Sequence, residues 1–308
     1  MHLQTRLLQI IGISLIITAV LASPALSKGK KRQVVTGHLI MDETWSGRIH
    51  VIGDVIVPEG ITLTIKPGTK ISFAQDSDYD TEIPLSKHVV KGKCNIIVKG
   101  TLKAVGKKKK KIEIGVSGKK LSKSERWGGI VFYSAEASAI KNCRIENAIF
   151  GISFINESNA KIEKSIVQNC NIGIYNAANS GAKIHSTVIS KCSTGVESTD
   201  SSFPKIAFNY IAKNEWGISF SSNATPIINN NTIEKNELGI SCGGKGDALI
   251  KENDIKGNQV GVDCSSKKSA LIKNKIVRNV IGVEYNALVK PKMVKNKFVK
   301  NRLSIKEK

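Results

Sequence analysis

The chain has 308 residues, with 47 lysines and arginines against 25 aspartates and glutamates, for a formal net charge of +22. Such an excess suits either a solvated, soluble surface or attraction for polyanions. Aromatic residues make up 5%, and with no stacking platform expected at outward positions they argue against specific nucleic-acid recognition.

Residues 1–27 read as a signal peptide. Arg6 supplies a modest positive start, residues 7–21 form an apolar run too short for a comfortable membrane span, and Val20-Leu21-Ala22 or Ala25-Leu26-Ser27 offers a small-residue cleavage site. No cysteine lies near Ala22, so there is no lipid-attachment motif. The expectation is an exported protein, periplasmic or extracellular, with no transmembrane span after cleavage.

Residues 28–128 carry strand-like runs (49–52, 55–57, 61–65, 70–73) punctuated by Gly53-Asp54, Pro58-Glu59-Gly60 and Pro67-Gly68 turns. An inserted loop is expected near 75–88. It holds Asp76, Asp78, Asp80 and Glu82, alternate acids similar to the start of a calcium loop, although Thr81 stands where glycine is expected and the glutamate comes too early. Calcium is the one cofactor suggested anywhere, and a solvated acidic turn is the alternative. Beyond it come Lys107, Lys108, Lys109, Lys110 and Lys111, a dense basic cluster and the expected polyanion contact, and then Trp127, expected in the core or at a corner.

Residues 129–308 are a repeat. A glycine followed by an aliphatic residue returns as Gly129-Ile130, Gly151-Ile152, Gly173-Ile174, Gly195-Val196, Gly217-Ile218, Gly239-Ile240, Gly261-Val262 and Gly282-Val283, with Ser304-Ile305 in the same register. The interval is 22 residues except for the 21 between Gly261 and Gly282. That period fits one turn of a β-solenoid. Six before each glycine stand Ile145, Val167, Ile189, Ile211, Ile233, Ile255, Ile276 and Phe298. Eleven before stand isoleucines from Ile140 to Ile250, and the last two coils are expected to slip by one to Ile272 and Val294. Both columns read as core stacks. Two polar columns read as asparagine ladders at left-handed corners, one ending Asn209, Asn231, Asn253, Asn274 and Asn296, the other Asn214, Asn236, Asn258, Asn279 and Asn301.

The frame Ile-x-x-Asn-x-Ile-x-x-Asn-x-x-Gly-Ile, as in residues 228–240, resembles the right-handed parallel β-helix repeat of the pectin-lyase-like superfamily. Within that superfamily it resembles notably the exported short-coil members related to the copper-site maturation proteins of nitrous oxide reductase. The resemblance covers roughly residues 34–305 and implies an all-β, single-stranded β-helix of eleven to twelve coils. That fold carries lyases, hydrolases, epimerases and inert scaffolds, so it does not fix an activity.

Enzymes of this fold keep an acid cluster on one outward face, and here the column two residues after the glycine offers Glu197, Asp263 and Glu284. Asp263 and Glu284 are expected one coil apart, near the separation of a retaining carboxylate pair. No clustered Asp-Asp or Gly-His-Gly motif accompanies them. His38, His50, His88 and His185 are scattered, and maturation of a metal protein would lack a ligand cluster. Cys170 and Cys192, and Cys242 and Cys264, are one coil apart, a separation that a disulfide permits, and stacked thiols are expected in preference to bridges. Gly243-Gly244-Lys245-Gly246 reads as a bulging turn. Only Lys306, Glu307 and Lys308 follow Ile305, so the C-terminal coil is a candidate contact surface, but its lysines favour a monomer. The leading functional expectation is a non-enzymatic binding or scaffold protein that contacts an anionic polysaccharide or another envelope polyanion. A polysaccharide-active enzyme is the alternative.

Overall fold

A computed structural model describes residues 32–75, 89–115, 121–122, 124–266 and 268–308. All named strand pairs are parallel and lie in a 22-stranded and an 11-stranded sheet. The larger sheet contains two series, so each coil contributes three strands. Lys205–Ala207, Tyr210–Ala212 and Trp216–Phe220, for example, stack on Ile227–Asn229, Thr232–Glu234 and Leu238–Cys242. We call these the first, second and third faces. The result is a parallel β-solenoid of eleven coils enclosing one apolar core.

The strands are short because the corners come at fixed places. In the coil of Gly217, Phe208 (φ 57°) and Lys213 (φ 59°) adopt left-handed backbone, and the same two positions are left-handed from Asn142 and Asn147 to Lys295 and Lys300. The ladder asparagine is the next residue along, which corrects the expectation that the ladder itself takes the left-handed turn. The physical reason is orientation. With the turn made one residue earlier, the asparagine side chain points into the core, where it is buried and fully bonded. Asn231 Oδ1 accepts from the Asn209 backbone N–H (2.9 Å) and from Asn209 Nδ2 (3.0 Å), while Asn231 Nδ2 donates to Ile206 O (2.8 Å) and to Asn253 Oδ1 (3.0 Å). Both amide donors and both lone-pair positions are used.

The glycine column is a packing requirement. A Cβ on Gly217 would stand 2.5 Å from the Gly239 carbonyl oxygen, and one on Gly173 2.5 Å from that of Gly195. No side chain fits where one coil's backbone meets the next so closely.

Three further details differ from the sequence reading. Leu271, fully buried, pairs with Ile250, and Met293 follows it in the inward column, whereas Ile272 and Val294 face outward. The alternation of a strand admits only one of two neighbouring residues, and the missing residue of the 21-residue coil falls in the turn after Cys264. Gly53 and Asp54 lie inside one bent strand, Arg48–Val57, instead of forming a turn. There the buried Asp54 carboxylate accepts from Asn95 N (2.7 Å) and Nδ2 (2.9 Å). Residues 243–246 do not bulge: Gly243 N and Lys245 N bond to Phe220 O and Ser222 O of the turn in the preceding coil. Trp127 is a core residue as expected, stacked on Phe73 at 3.9 Å and donating from Nε1 to Glu146 O.

Candidate functional site

The outward column of the third face brings Asp263 and Glu284 together as register neighbours, and the next residue in that column is Lys306. Lys308 Nζ lies 3.0 Å from Asp263 Oδ2 and also pairs with Glu284 Oε1, while Lys306 Nζ lies 2.9 Å from Glu284 Oε2. Burial pushes the Glu284 carboxyl upward, but the bonds from Lys308 and Lys306 outweigh it and hold the group below its usual range. A retaining pair needs one carboxyl protonated at working pH. Two ammonium groups favour the opposite state, so the geometry here is that of an ion cluster. Glu197 pairs in register with Tyr175 and Ser219 and stands three coils away from Asp263, on the order of 14 Å. The structure therefore joins two of the three acids and leaves the third apart.

The five lysines occupy the turn between Thr101–Val105 and Ile112–Ile114. Lys107 N and Lys110 N each donate to the other's carbonyl at 3.0 and 2.9 Å, which projects Lys107, Lys108, Lys109 and Lys110 into solvent with Lys111 half-buried. Lysines also stack along the first face, where Lys161, Lys183 and Lys205 are in-register neighbours. Lys161 pairs with Glu163 at 2.7 Å. Asp76, Asp78, Asp80 and Glu82 lie outside the described residues.

Sequence reasoning missed two features. One coil carries Phe203, Phe208, Tyr210 and Trp216 on its outer surface, the last 47% exposed, contrary to the expectation of no outward aromatics. Their position one, seven, nine or fourteen before Gly217 was the available signal. The second is a groove of about 620 Å³ along the corner between the second and third faces. Lys191, Lys213 and Lys235, the left-handed corner residues of successive coils, line it together with Glu215 and Glu237. Here the ladder Asn258, Asn236, Asn214 gives way to Cys192 and Cys170, which also line the groove. All six cysteines are buried thiols. A shared hydrogen bond pulls the Cys170 thiol down and pushes that of Cys192 up. Burial pushes the isolated Cys143 thiol to about 12.

No curated protein sequence matches the chain. Among solved structures it is similar to a mutant of the periplasmic alginate epimerase AlgG, with TM-score 0.60 and 15% identity over 80% of this chain and 60% of that one. The chain thus spans less than two thirds of the epimerase's length. It is also similar to the A-module of the Azotobacter vinelandii mannuronan C-5 epimerase AlgE4 (0.52, 11%, covering 85% and 88%) and to a Yersinia enterocolitica family 28 exopolygalacturonase (0.53, 9%, covering 86% and 72%). At these identities the likeness concerns the fold. A family model described as periplasmic copper-binding protein (NosD) matches residues 88–226 and again 151–308. Among the described residues no group of three or more His, Cys, Asp or Glu side chains could hold a metal ion. Each thiol pair offers only two soft donors, Cys170 and Cys192 at the groove wall and Cys242 and Cys264 within the core, so these residues do not fit a three- or four-coordinate copper centre. The matches together span more than half of the sequence, and the chain belongs to the NosD family of periplasmic parallel β-helix proteins.

Proposed function

We propose that this protein is a non-catalytic β-helix of the envelope that binds an acidic polysaccharide along its lysine columns. The observation carrying this reading is the pair Lys183 and Lys205, exposed in-register neighbours on adjacent strands with no carboxylate in salt-bridge range among the described residues. Like charges directly opposite each other destabilise a sheet. Lysines repeated at one coil, roughly 4.8 Å, offer a linear polyanion a matching row of counter-charges. Asp263 and Glu284, the acids an enzyme would use, are instead tied to Lys308 and Lys306, which supports binding over catalysis. The test is a panel of acidic and neutral polysaccharides scored for both binding and cleavage. Binding confined to the acidic members, without products, is expected; cleavage or epimerisation that is lost in Glu284→Gln would establish the enzymatic alternative.

A further inference from the structure

Resting on that reading, we infer that the corner groove is the specific subsite for the acidic polysaccharide, and that Arg126 is its buried anchor for a sugar carboxylate. Arg126 lines the groove, is 7% exposed, and has a buried Nε with no hydrogen-bond partner among the described residues. An arginine cannot shed its charge, and a guanidinium whose Nε–H is shut away from water without an acceptor leaves that donor unsatisfied at a cost. The nearby thiols do not compensate it, since Cys170 Sγ and Cys192 Sγ bond to the Gln168 and Ser190 carbonyls, each at 3.4 Å. A carboxylate has the planar geometry to accept two parallel N–H bonds from a guanidinium at the groove wall.

The surroundings select the rest of the ligand. The asparagine column stops at Asn214, and the smaller side chains of Cys192 and Cys170 follow it. Lys191, Lys213 and Lys235 then present one ammonium per coil to an extended chain. Glu215 and Glu237 lie among them. Dense phosphate would be repelled by these acids, whereas a uronan, with one carboxylate per ring and hydroxyls between, can donate to them. Among the described residues no aromatic side chain lines the groove, so it offers bases nothing to stack on. The occupant this chemistry fits is an acidic polysaccharide laid along the solenoid axis.

The test is calorimetric titration of the full chain and of Arg126→Met with oligogalacturonate, with dextran sulfate and single-stranded oligodeoxythymidylate as parallel arms, plus thermal midpoints without ligand. Arg126→Met is expected to weaken oligogalacturonate binding by about tenfold or more. It is also expected to raise the unliganded midpoint, because it removes a buried N–H that has no acceptor; an arginine with a purely structural role would lower it. Wild-type binding that Arg126→Met leaves unchanged overturns this subsite and spares the broader reading. No binding by the wild type to any probe overturns both. Tighter, Arg126-dependent binding of the oligonucleotide overturns the sugar assignment. Should Arg126→Met fail to fold, the exposed pair Lys191→Ser with Lys213→Ser decides, and unchanged affinity there overturns the proposal.

Discussion

Replacing Asn236 by leucine isolates the contribution of one ladder rung. Leucine keeps the branching of asparagine, so the change removes polar capacity while adding the bulk of two methyl groups. Asn236 Oδ1 accepts from Asn214 N (2.9 Å) and Asn214 Nδ2 (3.1 Å), and Asn236 Nδ2 donates to Ile211 O (3.3 Å) and Asn258 Oδ1 (3.1 Å). After the substitution Asn214 Nδ2 keeps Ile189 O, and Asn258 Oδ1 keeps the Asn236 backbone N–H. The Asn214 backbone N–H loses its acceptor and stays buried, and Ile211 O loses the donor Nδ2. One orphaned buried donor costs about 1–3 kcal/mol, which sets the lower bound of the predicted loss, because two methyl groups are bulkier than the amide they replace in a close-packed column. The assay is denaturant unfolding together with hydrogen exchange at the Asn214 amide, with the exposed Asn223→Leu as control. An unchanged midpoint with the Asn214 amide still protected would refute the claim that the ladder's bonds hold the coils together.

Gly217→Ala should destabilise by about 1–3 kcal/mol or more, since its Cβ would meet the Gly239 carbonyl; Ser304→Gly should change the unfolding midpoint far less. Trp127→Ala should cost about 3–5 kcal/mol by losing a buried ring stacked on Phe73, as read by thermal unfolding. The Glu284 carboxyl titrates below its unfolded value of about 4.3, so its contribution is present above that pH and is lost as pH falls through the folded value. Glu284→Gln should therefore be less stable than the wild type at neutral pH, with the gap closing under acid; a gap that is constant with pH would contradict the ion cluster. Replacing Lys107, Lys108, Lys109, Lys110 and Lys111 by serine should weaken polyanion binding and leave the circular dichroism spectrum unchanged, because the turn is held by backbone bonds.

The architecture was legible because a solenoid repeats its constraints. Each glycine faces the next coil's carbonyl and each ladder amide faces the next amide, so columns in the sequence are contacts in space. Errors came where one residue's orientation decided the matter. Asparagine's tolerance of left-handed backbone drew attention to the ladder, whereas the turn falls on residues as varied as Phe208, Lys213 and Glu252, which have no compositional signature. Aliphatic character alone suggested Ile272 where alternation selects Leu271. The pairing of Asp263 and Glu284 with lysines was within reach, since Lys306 continues their column, but Lys308 reaches back across two coils through its side chain. Arg126 lies before the regular repeat, and its significance rests on burial and a missing partner, neither of which a sequence displays.

The most direct test of the central claim is the salt dependence of affinity for polygalacturonate. Binding through lysine columns should weaken steeply and monotonically as salt rises from low to physiological ionic strength, because exposed charges are screened over a Debye length of roughly 8–10 Å. Salt-independent affinity, or no binding even at low salt, would contradict the account and leave the positive charge as a solvating surface.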